Sequence, residues 1–369
     1  FMKPGPKTRS GATPRVCVIG AGVSGLVSIH ALAERGLDVV AYDMSDRVGG
    51  LWVFDNPNGR GGAYRSLRIS TPAPAMAFSD FPWPAGTPDY PRHDEVARYF
   101  NAYSERFALE RFIQFRTTVE SCVPTSNGYE VTTRRLDSAE LHRERFDAVI
   151  VANGHHFRPS FPSPPTRGHF DGVTLHSHDY VDPTTPHDLR GRRVIVVGFG
   201  NSAVDIASEL AARGDAARVV LSVRRGSWVI PKYIRGKPAD QGELIPGWLP
   251  EKFRRRLVTL GFRLLFGKMS DYGLPEPDHL IGEAHPTLSD ELPELVKSGR
   301  VVVRPAIDGF EGKTVVFADG SREEIDAIVY CTGYHVDFPF FESSHLSAPD
   351  NRLPLFHRVF HPEHRRVFF

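Results

Sequence analysis

The stretch Arg15-Val16-Cys17-Val18-Ile19-Gly20-Ala21-Gly22-Val23-Ser24-Gly25-Leu26 decides the fold. Arg15 to Ile19 read as a buried strand, and Leu26 to Arg35 continue with helical periodicity until Gly36 stops them. Between the two lies a GxGxxG turn that suits a dinucleotide phosphate. Gly20 allows the tight turn, Gly22 lets the backbone approach a pyrophosphate, and Gly25 permits close helix–strand packing. The N–H groups of the helix start, through Val23 and Ser24, face the anion. The next strand, Leu37 to Tyr42, ends at Asp43, where a carboxylate can bond a ribose hydroxyl.

The layout recurs at Gly198-Phe199-Gly200-Asn201-Ser202-Ala203, after the strand Arg193 to Val197 and before the helical stretch Ser202 to Ala212. Its following strand, Arg218 to Val223, has no terminal carboxylate and leads into Arg224 and Arg225. An acid there would repel a 2′-phosphate, whereas Ser222 and a guanidinium would bind one, so NADPH is expected over NADH. Either arginine can take that role. The expected fold is α/β, with two Rossmann-like dinucleotide-binding domains. Pro159 to Pro165 reads as the connector into the second domain, and Ile325 to Tyr330 as a strand returning to the first. The expected boundaries are a first dinucleotide-binding domain over 13–160 and 325–369, with an NADPH-binding domain inserted at 161–324.

Composition narrows the function classes. A net charge of +1 over 369 residues gives no sign of a nucleic-acid partner. Cys17, Cys122 and Cys331 are too far apart for a zinc site or a disulfide framework, and the histidines lack metal-ligand spacing, so no metal is expected. No apolar run approaches a membrane span and no secretory signal precedes Pro14, which points to a cytoplasmic protein without membrane contact. Phe253 to Phe266 (FRRRLVTLGFRLLF) is basic and amphipathic. It is expected to pack on the second domain with its arginines in solvent, and a membrane-surface helix is the alternative reading.

A reducing nucleotide on one domain and a flavin on the other imply electron flow from the second cradle to the first. The close Cys pair of the flavin disulfide reductases is missing, which leaves oxygen, an external carrier or a quinone as acceptor. Phe170-Asp171-Gly172-Val173-Thr174-Leu175-His176-Ser177-His178-Asp179-Tyr180 then matches the FxGxxxHxxxY fingerprint of flavin-containing monooxygenases. The chain resembles that family also at Gly20 to Leu26, Gly49 to Trp52, Phe78 to Pro82, Gly198 to Ala207, Leu221 to Trp228, His285 to Leu292 and Asp326 to Tyr334.

The resemblance implies an FAD-dependent, NADPH-using monooxygenase in which reduced flavin takes up O2 as a C4a-hydroperoxide, protected by bound NADP⁺. The acceptor would be a soft nitrogen or sulfur of a small molecule: an amine, hydroxylamine, sulfide or thiol. By position, Gly20, Gly22, Val23, Ser24 and Gly25 would hold FAD phosphates, Asp43 its ribose, and Leu51 with Trp52 the flavin side. Gly198, Gly200, Asn201, Ser202 and Asp205 would lie along NADP, with Ser222 and Arg224 or Arg225 at the 2′-phosphate and Thr332-Gly333 as further cofactor contacts. His176 and Tyr180 are the fingerprint's polar members, read as linker residues that couple nucleotide binding to domain geometry. Ser70, followed by Thr71, stands where family members commonly carry an active-site Asn and offers only a hydroxyl. The sequence also stops at what reads as the start of a strand that family members continue, so a pocket-closing C-terminal segment is expected beyond it. Baeyer–Villiger oxidation of a ketone is the alternative within oxygenases, disfavoured by Tyr180 where the main group of those enzymes has Trp. A flavin-binding NADPH oxidase or redox module is the alternative of another class, and a homodimer is left open.

Overall fold

The computed structural model describes residues 13–212, 214–239 and 249–369. Its contacts divide into two compact units. The first holds the residues up to Gly61, Asp94–Arg158 and Tyr334–Phe369; the second holds Gly62–His93 and Pro159–Gly333.

In the first unit the opening run folds as strand β1 (Arg15–Ile19), helix α1 (Val23–Glu34) and strand β2 (Asp38–Tyr42). Helix α2 (His93–Arg106), with Asp94 and Glu95 in its first turn, leads on to β3 (Ile113–Gln114). Acidic groups at that end complement the helix dipole. An antiparallel sheet of β4 (Thr117–Thr125), β5 (Gly128–Arg135) and β6 (Leu141–Phe146) precedes β7 (Ala148–Val151). The main sheet is parallel in the order 367–368, β7, β1, β2, β3. Parallel strands are covered on both faces, which is why they read as unbroken apolar runs. Cys17, Val18, Leu26, Ile29 and Val149 are wholly buried there.

The second unit contains β8 (Arg167–Phe170), β9 (Val173–His176), β10 (Arg193–Val197), helix α3 (Asn201–Ala212) and β11 (Arg218–Ser222). Helix α4 (Glu251–Phe266) and strands β12 (Val301–Arg304), β13 (Ile307–Gly312), β14 (Thr314–Phe317), β15 (Arg322–Glu324) and β16 (Ala327–Tyr330) are among its other elements. Its main sheet is parallel in the order β12, β11, β10, β16, β9.

The position of β16 corrects one expectation. Ile325 to Tyr330 belongs to the second unit, between β10 and β9, and the chain re-enters the first unit only at Tyr334. The reason is an internal duplication. Phe146-Asp147-Ala148-Val149-Ile150-Val151 and Ile325-Asp326-Ala327-Ile328-Val329-Tyr330 play the same part in their two units. Asp147 Oδ2 accepts the Arg15 N–H at 2.8 Å at the foot of β1, and Asp326 Oδ2 accepts the Arg193 N–H at 3.0 Å at the foot of β10. Each glycine cradle thus needs its own third strand. A second correction concerns 62–93, which pack with the second unit although they precede the connector.

Candidate cofactor cradles

The two cradles are built alike where they pack against their own sheets. Gly20 donates its N–H to Tyr42 O at 2.8 Å, and Gly198 donates to Ser222 O at 3.0 Å. Both have positive φ (108° and 128°), and a Cβ on Gly20 would meet Ala152 O at 2.3 Å, on Gly198 the Cys331 O at 2.5 Å. These glycines answer to the neighbouring strand. Gly25 answers to Gly20, whose carbonyl oxygen a Cβ would meet at 2.0 Å, so α1 sits directly on the turn. The middle glycines are different. The nearest atom to a Cβ on Gly22 is 3.7 Å away, and around Gly200 nothing lies within 4 Å. Open space at the mouth of a helix fits a bound diphosphate, since first-turn N–H groups have no partner inside the helix. Gly22 caps α1 with no side-chain hydrogen bond, leaving the amides around Val23 and Ser24 to an anion.

The flanks of the first cradle are polar and half-buried. Asp43 Oδ2 accepts the Ala21 N–H at 2.6 Å, and its Oδ1 accepts the Ser45 N–H at 2.7 Å. Burial pushes the Asp43 carboxyl up, against the pull of those two donors and of Arg60. Each oxygen keeps a lone pair for a ribose hydroxyl. The Arg60 guanidinium lies over the Phe157 ring at 4.7 Å, and burial lowers its pKa against the nearby charges of Asp337 and Asp43. Sequence reading missed Arg60, which sits in a loop after Gly59 with no motif around it. Leu51 and Trp52 lie half-buried in a 3₁₀ turn, held against the cradle by the Gly49 N–H bond to Ala21 O at 3.1 Å.

At the second cradle the β10–β11 register pairs Val197 with Ser222, as β1–β2 pairs Ile19 with Tyr42, so the counterpart of Asp43 is Val223. No carboxylate stands at that point of the second cradle. Ser222 does not offer its hydroxyl to a ligand, because it is 2% exposed and donates to Pro305 O at 2.9 Å. Arg225 is engaged by Asp278 at 2.8 Å, whereas exposed Arg224 has no ion pair or hydrogen bond among the described residues. Of the two arginines left open in the sequence, Arg224 is the one without a partner among the described residues. Asn201 has a bond within the protein, its Oδ1 accepting the Leu288 N–H at 2.9 Å, while Thr287 Oγ1 donates to Phe199 O at 2.7 Å. Ser202 stands half-exposed in the first turn of α3. Thr332-Gly333 follows β16 as Asn153-Gly154 follows β7, and the Thr332 hydroxyl donates to Ser160 O.

Helix α3 carries Asp205 and Glu209 one turn apart, and three hydroxyls converge on them. Tyr64 donates to Asp205 at 2.6 Å; Ser66 and Tyr180 donate to Glu209 at 2.9 and 3.0 Å. Asp205 is therefore a brace, with its carboxyl pushed up by burial. The fingerprint residue Tyr180 is 1% exposed and packs edge-on to Tyr64. His176 is equally buried, and its Nδ1 accepts the His178 N–H at 3.1 Å. Neither is presented to a substrate. The same segment carries Ser70 and Thr71, half-exposed between the Ile69 N–H bond to Pro91 O at 3.0 Å and the Ala73 N–H bond to Asp89 O at 2.7 Å. Neither hydroxyl has a partner among the described residues.

Two expected results follow. Tyr180→Phe deletes one bond to a charged acceptor that keeps Ser66, and should cost about 1–2 kcal/mol in denaturant unfolding with kcat changed less than stability. Burial holds the His176 imidazole neutral below its ordinary pKa. The unfolded chain then binds the proton more readily, so stability is full above about pH 6.5 and is lost as pH falls below it. The thermal midpoint should drop over that acid range, and less steeply in His176→Gln.

Among the described residues no group of three or more His, Cys, Asp or Glu is placed to hold a metal ion. All three cysteines are free thiols, and burial pushes those of Cys122 and Cys331 up to about 12.

Residues 13–368 match the family described as flavin-binding monooxygenase-like. The chain is 37% identical to human flavin-containing monooxygenase 5 over 95% of its own length and 67% of the relative's. It is 35% identical to rat dimethylaniline monooxygenase [N-oxide-forming] 2 over 94% of its length and 66% of that protein's. It thus spans about two thirds of the curated relatives it matches. Among solved structures, S-allyl-L-cysteine S-oxygenase from Allium sativum superposes with a TM-score of 0.69 at 25% identity, covering 97% of this chain and 72% of that one. Cyclohexanone monooxygenase shares the fold, with a TM-score of 0.67 at 22% identity over 96% of this chain and 81% of that one. The chain belongs to the flavin-binding monooxygenase-like family, whose members work with FAD, NADPH and O2.

Proposed function

We propose that the first unit binds FAD, the second binds NADPH, and the enzyme transfers one oxygen atom from O2 to a soft nitrogen or sulfur of a small molecule. The observation that carries this reading is the different ending of two otherwise duplicate cradles. Asp43 suits a ribose diol, and Val223 followed by uncommitted Arg224 suits a 2′-phosphate. The names of an N-oxide-forming relative and an S-oxygenase neighbour support the acceptor class. When bound, FAD supplies the redox centre and NADPH the hydride.

The protein's own contribution is placement. The amides at Gly22 to Ser24 and at Gly200 to Ser202 receive diphosphates, and Asp43 orients the FAD ribose. Arg224 selects the phosphorylated nicotinamide nucleotide. Ser70 and Thr71, with free hydroxyls in a segment fixed to α3 by Tyr64 and Ser66, supply short polar contacts beside the reacting groups. Tyr180 and His176 hold that arrangement without touching substrate.

The test follows NADPH consumption, peroxide release and product together over a panel of tertiary amines, sulfides and ketones. Amines or sulfides should be oxygenated in proportion to NADPH used. Stoichiometric peroxide with no oxygenated product from any of them would sink the proposal, and oxygenation confined to ketones would replace it with Baeyer–Villiger chemistry.

A further inference from the structure

Three histidines meet in the first unit where neither cradle accounts for them. His345 lies in a turn after Phe341, and His361 and His364 lie in the segment that leads into the strand Val367–Phe368. The His345 and His364 ring centroids are 4.1 Å apart, and those of His361 and His364 are 4.4 Å apart at 27°, a stacked pair. All three residues are half-buried. On one side the cluster is fixed to the core. The Tyr129 hydroxyl of β5 and His345 Nε2 are hydrogen-bonded at 3.2 Å, and both rings pack on Phe341. On the other side, His361 Nδ1 accepts the N–H groups of Glu363 and His364 at 3.2 and 3.3 Å, which shapes the approach to the strand. Val367 then donates to His364 O at 3.1 Å, Arg366 O accepts the Val149 N–H at 2.9 Å, and buried Val367 pairs with Val149 of β7.

We propose that these three histidines form an acid-sensitive latch, which holds the strand Val367–Phe368 on β7 while they are neutral and releases it when they take up protons. Two effects act in that direction. Nδ1 of His361 accepts hydrogen bonds only while it carries no proton, so charging this ring costs both bonds and sets one donor against two others. A charge on one ring also faces the next at 4.1 or 4.4 Å, in a half-buried place where salt screens repulsion poorly. The groups that face the cluster are Tyr129 from β5, Glu342 from the turn of His345, and Glu363 and Arg366 from the segment of His361. Burial pushes the Tyr129 phenol up to about 12, so it stays protonated throughout. Exposed Glu342 and Glu363 favour charged rings. Burial and the neighbouring imidazoles outweigh them and hold His345 and His361 below the ordinary histidine range. The released segment therefore binds protons more readily than the docked one, so docking is full above about pH 6.5 and weakens as pH falls below it. Among the described residues no such group is placed to hold a metal ion, which leaves the proton as the ligand of this one.

The test is hydrogen exchange of the flavin-loaded protein at about pH 7.5 and about pH 5.5, corrected for the intrinsic effect of pH and read as protection factors. Protection of the Val149 and Val367 amides is expected to fall about tenfold or more in acid, since a tenfold difference in proton affinity between docked and released rings is a tenfold change in opening. Strands β10 and β16 of the second unit serve as the reference and should keep their protection. His345→Gln, His361→Asn and His364→Gln combined put amides where the imidazoles were, and none of these titrates. The amide oxygen at position 361 can still accept the two N–H groups, so protection at neutral pH should match wild type while the acid loss vanishes. His364→Gln alone removes the middle ring, leaves both anchors in place, and should shrink the loss severalfold. Equal protection of Val149 and Val367 at both pH values overturns the proposal, as does an acid loss that persists in full in the combined variant. A loss shared by β10 and β16 also overturns it, because the chain would then be unfolding as a whole instead of releasing one strand.

Discussion

Arg224→Glu is expected to raise the KM for NADPH about 100-fold or more while moving the KM for NADH by about twofold or less. A guanidinium facing a phosphate makes charge-assisted bonds of about 1.5–3 kcal/mol, and each 1.4 kcal/mol is a factor of ten. Placing a carboxylate there adds repulsion of the 2′-phosphate, a group NADH lacks. Arg225→Gln should change the KM for NADPH by only about threefold, because that side chain already serves Asp278 at 2.8 Å on a largely exposed surface. Ser222→Ala should act mainly through stability, since the hydroxyl spans inward to Pro305. Parallel titrations with both nucleotides read all three. Equal losses for NADPH and NADH in Arg224→Glu would show that the residue does not read the 2′-phosphate, and a dominant effect at Arg225 would mean that ligand binding breaks the Asp278 pair.

The same comparison shows what the residues alone could convey. Both cradles were legible because packing and phosphate chemistry demand glycine at fixed spacing after a buried strand, and the structure builds both as β–turn–α at those positions. The roles of the polar residues around them were less legible. Ser222, Asn201 and Asp205 have the right chemistry for a nucleotide, and each also has a partner within the protein: Pro305, Leu288 and Tyr64. A one-dimensional reading cannot tell a free hydroxyl or carboxylate from a committed one. The return strand was misplaced for a different reason. The match between Phe146–Val151 and Ile325–Tyr330, each with an Asp in second place that bonds the foot of a cradle strand, is a signal present in the sequence and was available as an internal repeat. Helix α4, expected to turn its arginines to solvent, turns Phe253, Leu257, Leu260 and Leu264 outward as well. This was hidden because amphipathic periodicity fixes that two faces differ, and leaves open which of them meets the core.

The glycines of the first cradle should separate into two classes on substitution by alanine. Gly25→Ala places a methyl 2.0 Å from the Gly20 carbonyl oxygen, and Gly20→Ala places one 2.3 Å from the Ala152 carbonyl oxygen at a φ of 108°. Both obstacles are backbone just past the ends of β1 and β7, so relief requires moving the turn, α1 or the segment after β7. Overpacking and a strained backbone together cost about 3 kcal/mol or more. The thermal midpoint should fall by roughly 6–12 °C at the 2–4 °C per kcal/mol usual for units of this size, with FAD lost as a consequence of unfolding. Gly22→Ala has no such obstacle, with its nearest neighbour at 3.7 Å and a φ of −77° that alanine adopts freely. Its apo midpoint should stay within about 2 °C of wild type, while FAD affinity drops at least about tenfold because the methyl fills the space the diphosphate needs. Gly200→Ala, with nothing within 4 Å, should show the same signature for NADPH and leave FAD binding unchanged. Calorimetry of the apoprotein and separate titrations with FAD and NADPH distinguish the classes. A Gly22→Ala protein that keeps full FAD affinity would place the diphosphate elsewhere, because the open space before α1 would then serve no ligand.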